Sequence, residues 1–125
     1  MKKILIIEDE KNIVISLKMF LEYSGFKVIT ADNGLDGIKK AQEENPDLIL
    51  LDLVLPRING YTVCKTLKEN SDTKKIPLII MSARTSKDDI EKVFVSGAEN
   101  YIAKPFSIIQ IKNIISKYLG EFKHD

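Results

Sequence analysis

Cysteine and histidine occur once each in the 125-residue chain. The lone thiol, Cys64, excludes an intrachain disulfide framework and suits a reducing cytosol. The lone imidazole, His124, falls in a polar tail and reads as a solvated side chain rather than a ligand or base. Charge of one sign is also missing. The 19 Lys and Arg nearly cancel the 18 Asp and Glu, so no bulk field favours DNA, RNA or an anionic membrane. Long apolar runs are absent too: the N-terminal MKKILII breaks at Glu8, too early for a signal peptide or a spanning helix. No basic recognition helix, helix-turn-helix, linker, internal repeat or low-complexity segment is visible, so direct DNA binding is not expected. These absences predict one soluble, cytoplasmic domain, large enough to bury roughly two thirds of its unfolded surface.

What the sequence does contain is a rhythm. The apolar runs ILII at 4–7, VIT at 28–30, LILL at 48–51, LIIM at 78–81 and YIA at 101–103 each precede a helix-like segment. In the first such segment, from Lys11 to Ser24, Ile13, Val14, Leu17, Phe20 and Leu21 share a stripe that stops at Gly25. Pro46 closes the second segment, and Gly60 and Gly97 border the third and fourth. Ser86 with Asp88 and Asp89 opens the fourth as an N-cap and acidic first turn, and Asp32 reads as a further cap. In the fifth, Ile108, Ile111, Ile115 and Tyr118 form the core stripe, with Ile109 off it. Five strand-helix units predict an α/β, flavodoxin-like doubly wound fold. Its five-stranded parallel sheet has strand order 2-1-3-4-5, helices cover both faces, and ligands bind outside the carboxyl ends of the strands.

The residues at those ends carry the chemistry. Strand 1 ends in Glu8 and Asp9, strand 3 in Asp52, strand 4 in Ser82, and strand 5 in Lys104 followed by Pro105. In the predicted order these strands are contiguous, so three acids, a hydroxyl and an ammonium converge on one rim. Three clustered carboxylates repel by roughly 4 kcal/mol per pair at ~4 Å and an effective dielectric near 20. Lys104 offsets about one charge. A divalent cation offsets the rest, and an all-oxygen set suits Mg²⁺ far better than zinc. The predicted chemistry is phosphoryl transfer, with Asp52 as the attacking carboxylate.

The acidic pair, the Asp of LLDLVLP, Gly60 beyond it, Ser82 in MSA and the Lys-Pro-Phe at 104–106 together resemble the receiver domain of two-component response regulators, of the chemotaxis-regulator type. The resemblance spans essentially the whole chain and implies a receiver domain over 1–122, followed by a short polar tail at 123–125. It implies that Asp52 accepts a phosphoryl group from a phosphohistidine on a sensor histidine kinase, with Mg²⁺ required. Asp9 would then touch the metal directly and Glu8 through water, with Asp52 and the backbone carbonyl of Val54 as further ligands. Glu8 stands where Asp is commoner and Ser82 where Thr is often found; both keep the needed oxygen. The resemblance further implies a cis peptide before Pro105 and a switch. In that switch the Ser82 hydroxyl turns toward the phosphoryl group, Tyr101 packs inward, and the face of helix 4, strand 5 and helix 5 is remodelled. Taken alone, Tyr101 reads as a strand residue with one packed face. New hydrogen bonds from the Ser82 hydroxyl and the Lys104 ammonium supply roughly 1.5–3 kcal/mol each, comparable with the ~5.5 kcal/mol that inverts a 1:99 population. Such a receiver is a signalling module that assists only its own phosphorylation and dephosphorylation.

Ile15, Met19 and Tyr23, spaced four apart, form a second apolar ridge on the first helix. They either pack under helix 5 or stand exposed; the resemblance implies that this helix docks on the kinase's helical bundle. A downstream protein target is expected, with the chain a monomer or a phosphorylation-dependent dimer. The start and short charged tail predict a single-domain regulator, a fragment of a longer protein being the alternative. Val54 and Arg84 read as residues that tune the phosphoryl lifetime. Three rivals compete with this reading. A phosphorylation-independent receiver-like binding module would usually have lost an acid or the lysine. An aspartate-nucleophile phosphatase of the haloacid dehalogenase type needs a second Asp two residues after the nucleophile, where Val54 stands. A flavin or nucleotide carrier needs Gly, Ser or Thr after strand 1, where the chain reads EDEKN.

Overall fold

Strands and helices alternate strictly along the computed structural model, which describes residues 1–120. The expected domain boundary at 122, the tail and His124 lie outside the described residues. The strands are β1 (Lys3–Ile7), β2 (Lys27–Ala31), β3 (Leu48–Asp52), β4 (Leu78–Ser82) and β5 (Asn100–Ala103). Between and after them run α1 (Lys11–Tyr23), α2 (Gly34–Glu44), α3 (Gly60–Glu69), α4 (Lys87–Val95) and α5 (Ile108–Leu119). All four strand pairings are parallel and the order is β2-β1-β3-β4-β5, as the alternation predicts. None of the described helices is long and apolar enough to cross a membrane.

The two-residue period of each strand sorts its side chains into two cores. Leu5, Ile7, Ile49, Leu51 and Ile80 point to the side covered by α2, α3 and α4, where they meet Ala41, Val63, Leu67 and Val93. Ile4, Ile6, Leu50, Ile79 and Met81 point to the other side and meet Leu17 and Leu21 of α1 and Ile111 and Ile115 of α5. β3 and β4 are buried along their whole length, which explains their unbroken apolar spelling.

Helix ends follow local chemistry. Ser86 caps α4, its Oγ accepting from the Asp89 N–H at 3.1 Å. α2 stops at Asn45, which takes the left-handed conformation at φ 49° just before Pro46. Its start departs from expectation. Asn33, not Asp32, is the N-cap, because Asn33 is the residue with extended backbone whose Oδ1 faces the Asp36 N–H at 2.9 Å. Asp32 sits one residue too early and accepts from the Asn33 side chain, at 2.8 Å. In α5 the stripe holds at Ile111, Ile115 and Tyr118. Ile108 departs from it: it is the first residue of α5 and is 44% exposed.

Candidate functional site

The carboxyl ends of β1, β3, β4 and β5 finish level because the register pairs Ile7 with Leu51, Asp52 with Met81 and Ser82 with Ala103. Glu8 and Asp9 leave β1 at this rim, Asp52 and Ser82 end their strands there, and Lys104 follows β5. Carboxylate oxygens of Glu8, Asp9 and Asp52 lie within 4.8 Å of one another. Lys104 reaches into the group and bridges two of them, with Nζ 2.7 Å from Glu8 Oε1 and 3.1 Å from Asp52 Oδ1. Glu8 and Asp52 are only 1% and 5% exposed, whereas Asp9 faces solvent. Glu8 also accepts the Glu10 N–H at 3.2 Å through Oε2, so both of its oxygens are engaged.

The other expected residues take distinct places. Ser82 is buried at the end of β4, its Oγ accepting from the Arg84 N–H at 2.9 Å. Val54 lies in the loop after β3 with its side chain exposed. Tyr101 is half-buried and meets the Phe94 ring edge-on, centroids 6.2 Å apart. The Lys104–Pro105 peptide is cis. Ile15, Met19 and Tyr23 are 56%, 68% and 75% exposed, so the ridge on α1 does not pack under α5. Gly60 enters from the sequence as a helix border and a family marker, with no place at the rim. The Gly60 N–H donates to the Leu53 carbonyl at 2.7 Å, and a Cβ there would stand 2.6 Å from the Asp52 carbonyl oxygen. Only the Asn-Gly pair at 59–60, opening a helix just past the acidic strand end, hints at that contact.

Three acids against one ammonium leave net negative charge in a poorly hydrated place. Burial pushes the Glu8 carboxyl up to about 7; the Lys104 hydrogen bond opposes this in part, and the Asp52 charge adds to it. Burial works to lower the Lys104 pKa, but its bonds to Glu8 and Asp52 outweigh that and leave it raised. An oxygen-only donor set with uncancelled negative charge is what a hard divalent cation requires, and among the described residues no His or Cys joins this cluster, which disfavours zinc.

The raised Glu8 pKa has a consequence for the metal-free chain. An unfolded Glu titrates near 4.5 and the folded one near 7. Between those values the folded state holds the extra proton, so stability falls as pH rises. With chelator present, raising the pH from 5 to 7.5 is expected to lower stability through Glu8 by up to about 3 kcal/mol. Urea unfolding of the wild type and of Glu8→Gln measures this; the variant should lose that part of the slope.

The family model for the response regulator receiver domain matches residues 4–116. The polar-differentiation response regulator DivK of Brucella anthropi is 37% identical over 123 residues, a stretch covering 96% of this chain and 98% of that protein. Among solved structures, the chemotaxis protein CheY4 of Vibrio cholerae superposes with a TM-score of 0.90 at 26% identity, covering 95% of this chain and 99% of the other. The receiver domain of the sensor histidine kinase PA1611 from Pseudomonas aeruginosa, which has a magnesium ion coordinated in its active site cleft, gives 0.88 at 25% identity, with 96% and 98% covered.

Proposed function

Because this chain belongs to the response regulator receiver domain family, we propose that it is a phosphorylation-activated switch. It takes a phosphoryl group from the phosphohistidine of a sensor histidine kinase onto Asp52, in a Mg²⁺-dependent reaction, and thereby changes a partner-binding surface. The observation that carries this reading is the rim itself: Asp52, 5% exposed and 3.1 Å from Lys104, within a cluster of three carboxylates.

An Asp52 carboxylate oxygen attacks phosphorus in line. The new O–P bond forms as the donor's N–P bond breaks, and the imidazole leaves with that electron pair and gains a proton. Glu8, Asp9, Asp52 and the Val54 carbonyl would hold Mg²⁺, which when bound supplies positive charge to the transferring oxygens. Lys104 donates to the phosphoryl group from the protein side and Ser82 turns its hydroxyl toward it. Tyr101, half-buried beside Phe94, then follows Ser82 inward. The chain acts on itself rather than on a turned-over substrate, in the cytoplasm, and its output is a protein target rather than DNA. Incubation with acetyl phosphate tests the reading. One phosphoryl group per chain should be gained with Mg²⁺ and none with chelator. No uptake under either condition favours a binding module, and many turnovers of a generic phosphate ester favour a phosphatase.

The exposed ridge of Ile15, Met19 and Tyr23 supports kinase docking on α1. Replacing Ile15 and Met19 together with Asp should slow transfer from the kinase about tenfold or more, the equivalent of losing one well-buried aliphatic contact of ~1.5 kcal/mol. Labelling by acetyl phosphate should be unchanged. Equal loss of both rates would show that the ridge matters for folding instead.

A further inference from the structure

α4 is thinly packed. Of its nine residues Val93 is the buried one, while Phe94 and Val95 are 46% and 80% exposed. A groove of about 460 Å³, lined by Tyr61, Lys65, Lys92 and Val95 among others, runs between α3 and α4. Val93 in the core and the Phe94 ring against Tyr101 are the apolar anchors of α4, and polar bonds from α3 add to them.

Three side chains on one stripe of α3 supply these bonds. Tyr61, Cys64 and Lys68 are spaced i, i+3, i+7 and therefore share a face. The Tyr61 hydroxyl donates to the Asp89 carbonyl in the first turn of α4 at 3.3 Å. The Cys64 thiol donates to the Ser96 carbonyl at the other end of α4 at 3.5 Å. The Lys68 ammonium meets the Glu99 carboxylate, in the link to β5, at 2.6 Å. That last rung is fixed on both sides. Lys68 also donates to the carbonyls of Lys74 and Ile76 at 3.1 and 2.7 Å, and Glu99 accepts the Leu78 N–H at 2.6 Å. The first rung starts one residue past Gly60, which is pressed against the Asp52 and Leu53 backbone.

We propose that this ladder of donors on α3, added to that apolar anchoring, sets the resting position of α4, and that releasing the Tyr61 and Cys64 rungs biases the chain toward its switched state. The second half rests on the signalling reading above. Tyr61 and Cys64 are positioning residues; neither belongs to the rim cluster. A ligand or a substitution stabilises the switched state only by its differential effect on the two positions. A neutral hydrogen bond lost from the resting position shifts that balance about fivefold, the equivalent of about 1 kcal/mol.

Hydrogen exchange on the unphosphorylated chain tests the first half, using Tyr61→Phe and Cys64→Ala singly and together, with Cys64→Ser as the variant that keeps a donor. α4 amides should exchange about fivefold faster for each lost rung and about twenty-five-fold faster for both. α1, α2 and α5 should keep wild-type rates, and Cys64→Ser should stay close to wild type. Unchanged α4 exchange, or acceleration spread evenly over all helices, overturns the ladder. Beryllofluoride binding with Mg²⁺ tests the second half: the double variant should bind severalfold more tightly than wild type. Equal affinity, in a wild type that does bind, overturns the bias while leaving the ladder standing. A wild type that neither binds beryllofluoride nor takes a phosphoryl group overturns the signalling reading and the bias with it, and the exchange rates still decide the ladder.

Discussion

The Asp52→Asn variant takes up no phosphoryl group from acetyl phosphate, and in the absence of metal it is more stable than the wild type. The first outcome follows from replacing the attacking carboxylate with an amide that carries no charge and is a poor nucleophile. The second is a matter of counting charges. Asp52 faces two other acids within 4.8 Å and one ammonium at 3.1 Å. Each repulsion is of the same order as the one attraction, roughly 4 kcal/mol at ~4 Å and an effective dielectric near 20. At neutral pH Glu8 is about half protonated, so removing the Asp52 charge relieves the Asp9 repulsion and roughly half of the Glu8 one. Together these outweigh the one attraction lost, and Lys104 keeps Glu8 as a partner at 2.7 Å. A gain on the order of 1 kcal/mol is expected at neutral pH after solvent screening. Intact mass after incubation reads the first effect and urea midpoints with chelator read the second. A Mg²⁺ titration completes the set, since the variant should bind at least tenfold more weakly. A variant that still gains one phosphoryl group would move the acceptor elsewhere.

Gly60→Ala is expected to cost both stability and phosphoryl uptake. Its Cβ would stand 2.6 Å from the Asp52 carbonyl oxygen, 2.6 Å from Leu53 Cα and 2.9 Å from the Leu53 carbonyl oxygen. All three are backbone atoms, so no rotamer change relieves the overlap and the end of β3 or the start of α3 must shift. The contrast is Gly37, where the three nearest atoms an added Cβ would meet all belong to the side chain of Ile7. A loss of about 3 kcal/mol or more is expected at Gly60, the upper end of what overpacking costs. Because the atoms displaced belong to the acceptor's own peptide, phosphoryl uptake should fall about a hundredfold as well, the scale that a ~1 Å misplacement costs. Thermal unfolding and the rate of acetyl phosphate labelling measure the two. Normal labelling in a folded Gly60→Ala protein would show that the contact does not position Asp52.

The sheet was legible because buried parallel strands are spelled almost entirely in apolar residues, and because each run of this kind ends at a residue whose polarity has no place in a core. Asp52 after LILL is the clearest instance. The strand order alone places Glu8, Asp9, Asp52, Ser82 and Lys104 on one rim. What sequence spacing could not supply were distances between elements. That Lys104 holds two acids at once rather than one depends on how far β5 stands from β1 across β3 and β4. The Gly60 contact depends on how closely α3 is drawn against β3. Asp32 and Asn33 are both good caps, and only the backbone turn at the end of β2 decides between them. Helical spacing could group Tyr61, Cys64 and Lys68 on one face, but an aromatic, a thiol and an amine at that spacing look like ordinary packing until their partners on α4 and beyond are seen.

Cys64 offers a practical use of its own. It is fully buried and burial raises its pKa, so in the closed molecule it reacts slowly with thiol reagents. Any opening between α3 and α4 uncovers it, and the chain has no other cysteine to compete. The speed of its labelling by a disulfide reagent is therefore a built-in stopwatch for that opening, readable in the native chain without attaching a dye or a spin probe.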